Sequence, residues 1–121
     1  MNKEISKLVS DLKKHKKIMA IILFGSYATK TNKPISDIDI AVIVKDPDKD
    51  IEAEISGFSS NKLDVVNFHR LPLYIQFEVF KHGKELFVRN DRFLIEIKFD
   101  VLKNYLEMSK SYERISREVL A

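Results

Sequence analysis

Two hydrophobic periods divide this chain into elements. Ile5, Leu8, Val9 and Leu12 recur at helical spacing and predict a helix over residues 2–16. The basic run Lys13-Lys14-His15-Lys16-Lys17 closes it and suits the negative end of a helix dipole. Residues 19–24 form a continuous apolar run that stops at Gly25 and reads as a buried strand. IDIAVIV, residues 38–44, is a second strand, halted by Lys45-Asp46-Pro47. Residues 49–56 are ambiguous, with one short helix turning Ile51 and Ile55 inward as the best fit. Residues 63–68 read as a third strand. Residues 71–82 read as a helix that opens near Pro72 and ends before Gly83. Residues 85–88 suit a short edge strand. From Asp91 onward Leu94, Ile97, Val101, Tyr105, Met108, Tyr112, Ile115 and Val119 step by three or four, one apolar stripe over about seven helical turns. The expected fold class is α/β (α+β): a small mixed β-sheet with flanking helices and a long C-terminal helix.

Length and composition narrow this picture. A chain of 121 residues, 45% hydrophobic and 32% charged, predicts one domain over residues 1–121, with a core at about 18–90 and a C-terminal helix at about 91–119. No apolar run approaches the roughly 20 residues of a membrane span. The N-terminal stretch is amphipathic, without a signal-peptide core. The absence of cysteine excludes disulfides and thiolate chemistry. A cytoplasmic protein is therefore expected. The net charge of +3 is spread along the chain and is too weak to argue for nucleic acid.

The candidate chemistry begins at Gly25-Ser26, between a buried strand and the residues that follow. A glycine there lets backbone approach a ligand, and free N–H groups beside a serine hydroxyl would donate to phosphate oxygens. Taken alone, the pair is better read as an ordinary strand-to-helix turn with a serine cap. Next, Asp37 and Asp39 alternate with Ile38 and Ile40, so both carboxylates fall on one strand face, roughly 6–7 Å apart at Cα. Water at a strand end would satisfy such a pair. A shared cation would relieve their repulsion, and hard oxygen donors suit Mg²⁺ or Mn²⁺. A third acid, Asp64, interrupts the apolar strand Leu63-Asp64-Val65-Val66. Three carboxylates from two strands, with a phosphate cradle from a third, are what two-metal phosphoryl transfer requires. His15, His69 and His82 share no metal spacing and are read as surface or loop residues.

Gly25-Ser26, ten residues, then Asp37-Ile38-Asp39 resembles the signature of the DNA polymerase β-like nucleotidyltransferase superfamily. The short chain, Asp64 in a later strand, and the segment from Leu71-Pro72 through Lys81-His82-Gly83-Lys84-Glu85-Leu86-Phe87 are similar to its minimal nucleotidyltransferase branch. The resemblance spans about residues 18–110. It implies that Gly25 and Ser26 bind the β- and γ-phosphates of a nucleoside triphosphate. Asp37 and Asp39 would ligate two Mg²⁺ ions, and Asp64 would hold the metal that activates the attacking hydroxyl. The family often follows its alanine with Arg-Gly, whereas Ala28 here precedes Thr29-Lys30. Lys30 or Lys33 would then meet the triphosphate as point charges, without bidentate geometry.

The implied reaction transfers AMP from ATP to an acceptor hydroxyl. In this branch the partner is commonly a helical HEPN protein, which implies a tyrosine acceptor on a HEPN-type toxin and an antitoxin role for this chain. A second reading is a slow or non-catalytic module that neutralises its partner sterically. A third is modification of a small molecule such as an aminoglycoside, for which such a short chain leaves little acceptor-binding structure. About half of the apolar stripe after Asp91 is enough to cover the sheet; the surplus is the expected partner contact, although folding back on the sheet fits it equally well, and homodimerisation is left open.

Overall fold

The computed structural model describes residues 3–25 and 38–120, leaving aside the side chains at 112, 113, 115, 116 and 118–120 of the last helix. The elements run α1 (Lys3–Leu12), β1 (Ile18–Phe24), β2 (Ile38–Val44), α2 (Lys49–Gly57), β3 (Leu63–Asn67), a 3₁₀ turn (Phe68–Arg70), α3 (Leu73–His82), β4 (Lys84–Val88) and α4 (Asp91–Leu120). The fold is mixed α+β, as the two periods predict.

One sheet of order β3-β2-β1-β4 organises the chain. β1 pairs antiparallel with both β2 and β4, and β2 pairs parallel with β3. A parallel neighbour needs a crossover, which α2 supplies. The interior strands β1 and β2 are buried on both faces, so their sequences are continuous apolar runs rather than alternating ones. Ile5, Leu8 and Leu12 of α1 and Ile51 and Ile55 of α2 pack on one face, against Ile21, Leu23, Ile40 and Val42. Phe68, Val79 of α3, and Leu94 and Val101 of α4 pack on the other, against Ile22, Ala41 and Ile43. Each fully buried aliphatic side chain of these layers contributes about 1.5–3 kcal/mol relative to exposure.

Several boundaries differ from the sequence-based expectation for identifiable reasons. α1 stops at Leu12, so the basic run lies in turns rather than on the helix end. Long-range contacts hold that run. The Arg89 guanidinium donates to the carbonyls of Lys13, His15 and Ile18, and the Lys17 ammonium reaches the Asp48 carboxylate at 2.7 Å. That hydrogen bond holds the Asp48 carboxyl below its ordinary range. The ambiguous segment after Pro47 is helical, because Asp48 accepts a hydrogen bond from the Ile51 N–H and caps α2. β3 ends one residue early, where Phe68 turns into the core. β4 is the expected edge strand, starting at Lys84.

α4 divides its apolar residues between two faces. Leu94 and Val101 are buried, Ile97 packs on the same cluster, and Tyr105 stacks on Phe77 with ring centroids 3.9 Å apart. Met108 is exposed. The stripe expected to meet a partner therefore covers the sheet up to Tyr105; the side chains of Tyr112, Ile115 and Val119 lie outside the described ones. Among the described residues, no helix is long and apolar enough to cross a membrane.

Candidate active site

The sheet brings three of the predicted site residues to one end. In the pairing register, Phe24 of β1 stands opposite Asp39 of β2, and Asp39 stands opposite Asp64 of β3. Ile38, Ile40, Leu63 and Val65 point into the α1/α2 layer, so strand alternation turns Asp39 and Asp64 to the opposite face. Adjacent strands lie about 4.8 Å apart, which sets the two carboxylates on neighbouring strands of one face. Asp39 is half-buried and Asp64 exposed.

Gly25 follows directly after β1 and adopts φ +77°, a left-handed conformation that favours glycine. A Cβ there would lie 2.4 Å from Oδ2 of Asp39 and 3.3 Å from its Cγ. The glycine thus does two things at once: it turns the chain and leaves room for the Asp39 carboxylate. The remaining predicted residues (Ser26, Lys30, Lys33 and Asp37) lie outside the described residues.

Of the other charged groups near this end, Glu85 is engaged by the fold. Pairing puts Glu85 beside Ile22 on the acid-bearing face and Lys84 beside Leu23 on the other. Glu85 accepts a hydrogen bond of 2.7 Å from Lys98 of α4. Gly83 lets this corner close, since a Cβ at that position would meet the Val79 carbonyl at 2.1 Å and Ile22 at 2.7 Å. This tight approach of α3 to β1 is not evident from residue spacing; an isolated glycine after a helix signals only its end.

The three histidines are structural. His15 lies 3.2 Å from Glu54, His82 lies 3.6 Å from Glu78, and His69 Nε2 contacts the Val44 carbonyl at 2.9 Å. Burial pushes the His69 imidazole below its ordinary pKa. At the far end of β3, Asn67 donates to Glu52, and Arg70 grips the same carboxylate with two hydrogen bonds of 2.9 and 3.1 Å. That network locks α2 to the 3₁₀ turn and holds the Glu52 carboxyl below its usual range.

Among the described residues no group of three or more His, Asp or Glu is close enough to hold a metal ion. Asp39 and Asp64 make a two-carboxylate donor set of hard oxygens, next to a glycine whose missing Cβ keeps the carboxylate accessible. Such donors fit a hard divalent cation and not a soft one.

Known proteins share this fold. The family model described as Polymerase beta, Nucleotidyltransferase matches residues 6–92. A candidate protein adenylyltransferase of Methanocaldococcus jannaschii is 41% identical over 71 residues, 59% of this chain and 57% of that protein. The chain thus spans little more than half the length of that curated relative. The fold is similar to a chain of a toxin–antitoxin crystal structure with AMP-PNP, at TM-score 0.71 and 25% identity over 98% of this chain and 97% of the other. It is also similar, at TM-score 0.70 and 23% identity over 98% and 97%, to a chain of the complex between tri-AMPylated Shewanella oneidensis HEPN toxin and MNT antitoxin. On the match over residues 6–92, which runs from within α1 to the start of α4, the chain belongs to the polymerase β nucleotidyltransferase family.

Proposed function

We propose that this chain is a Mg²⁺-dependent adenylyltransferase that moves AMP from ATP to a tyrosine hydroxyl of a HEPN-type partner and so acts as an antitoxin in the cytoplasm. The observation that carries this reading is the register of Asp39 against Asp64 beside Gly25. The relative named as a candidate protein adenylyltransferase supports the reaction class, and the similar structures with AMP-PNP and with an AMPylated HEPN toxin support the nucleotide and the partner.

The division of labour follows from the side chains. Gly25 and Ser26 hold the β- and γ-phosphates, with Lys30 and Lys33 as point charges on the triphosphate. Asp37, Asp39 and Asp64 would hold two Mg²⁺ ions, which when bound neutralise charge on the attacking and leaving oxygens of an in-line displacement. The acceptor oxygen forms its bond to the α-phosphorus as the bond to the β-phosphate oxygen breaks, and pyrophosphate leaves with that electron pair. Asp64, exposed at the strand end, accepts the acceptor's proton. One minimal domain over residues 1–121, with a core at about 18–90, performs this chemistry, and the partner brings the acceptor surface.

A second reading has one sequence observation behind it. Thr29-Lys30 replaces the Arg-Gly common in the family, which favours a slow site and steric neutralisation. One experiment separates the two: the chain is mixed with labelled ATP, Mg²⁺ and the product of the adjacent gene, then retested as Asp37→Asn plus Asp39→Asn. Label on the partner with wild type only is the expected result. Equal neutralisation by both forms without any label would overturn the enzymatic reading.

A further inference from the structure

α4 carries a second apolar stripe that covers no part of its own sheet. Ile95, Phe99, Leu102 and Leu106 are 51%, 68%, 44% and 50% exposed. Their spacing of four, three and four is the seam of a helix pair, and it runs for about 17 Å of helix. On a helical wheel this seam lies roughly 125° from the face bearing Leu94 and Val101, so both faces can be covered at once.

We propose that this stripe docks antiparallel on the same stripe of a second copy of the chain. The argument is charge self-complementarity. A two-fold axis crossing α4 between Phe99 and Leu102 sets Phe99 against Leu102 of the second copy and Ile95 against Leu106 of the second copy. The same axis brings Glu96, which flanks the stripe, to Lys103 of the second copy, and the pair occurs twice by symmetry. Glu96 and Lys103 lie on one flank of the seam; Lys98 and Tyr105 lie on the other. Within its own helix Glu96 pairs with Arg92, at 3.7 Å between two exposed side chains, a contact too weak to hold it from a partner. A parallel pairing would instead set Lys98 against Lys103 of the second copy, like charge against like. Four apolar residues per copy make a small interface, so the dimer is weak and concentration-dependent. The inference does not depend on the catalytic reading.

Sedimentation velocity of the full chain over a dilution series tests it. The expected mass rises from 14.1 kDa at low concentration toward twice that value. Glu96→Lys or Lys103→Glu alone should weaken association by about tenfold or more, the equivalent of about 1.4 kcal/mol. The double swap Glu96→Lys plus Lys103→Glu should recover most of it. Phe99→Ser should give a monomer with unchanged circular dichroism. Three outcomes overturn the proposal: a monomer at every concentration, a double swap no better than either single one, or a Phe99→Ser dimer. A stripe that binds a different protein would appear as the first of these.

Discussion

The Asp39 carboxylate occupies the space that any side chain at position 25 would need, with Oδ2 2.4 Å from the site of the missing Cβ. Turn and acid are thus a single constraint, since a residue that strains one displaces the other. Gly25→Ala should cost about 1–2 kcal/mol for the left-handed backbone alone. It should also swing Asp39 out of register with Asp64. Displacement of a reacting group by about 1 Å can lower a rate 10²-fold, and nucleotidyl transfer should fall by about that much. A denaturation midpoint and a single-turnover labelling rate measure the two effects separately. Near-normal transfer at reduced stability would show that Asp39 can move without consequence.

Asp64→Asn should separate stability from activity. Asp39 and Asp64 are like charges across a parallel pair, and Asp64 is exposed, so neutralising one removes a repulsion at little packing cost. In metal-free buffer the variant should melt at or slightly above the wild-type temperature. Added Mg²⁺ should stabilise the wild type by mass action, about 1.4 kcal/mol at ten times the dissociation constant, and stabilise the variant less at the same concentration, since Asp37 and Asp39 remain. Transfer should fall by about 10²-fold or more. A variant that melts lower without metal, or is stabilised equally with it, would remove Asp64 from the metal site.

These two residues also mark how far sequence reaches. Asp37-Ile38-Asp39 and Asp64 stand out because polar residues interrupt strands that are otherwise apolar on both faces, and such strands read clearly. That Asp39 meets Asp64 is a matter of register, set by the α2 crossover and the layers it packs, and no local pattern carries it. The stop of α1 at Leu12 was hidden for the same reason. Arg89, more than seventy residues away, donates to the carbonyls after the helix. The inward face of α4 is legible, but helical spacing finds any stripe and does not say which others exist. Leu94, Val101 and Tyr105 match the predicted one, but Ile95, Phe99, Leu102 and Leu106 form another, and only the position of α3 decides which turns inward.

His69 should make stability depend on pH above the carboxylate range. Desolvation lowers its pKa, while its contact with the Val44 backbone and the nearby Glu52 charge act the other way. The folded state therefore holds a neutral imidazole at a pH where the unfolded chain, with a pKa near 6.5, already binds a proton. Stability from this group is fully present above about pH 6.5 and is lost as pH falls through that value toward the folded pKa. Asp48 and Glu52, with lowered pKa values, add a separate loss only as pH falls through the carboxylate range. Urea midpoints between pH 5 and 8 should decline on the acid side for the wild type and flatten for His69→Gln, which keeps a donor near the Val44 carbonyl without a titrating ring. An unchanged acid slope in the variant would mean that some other group carries it.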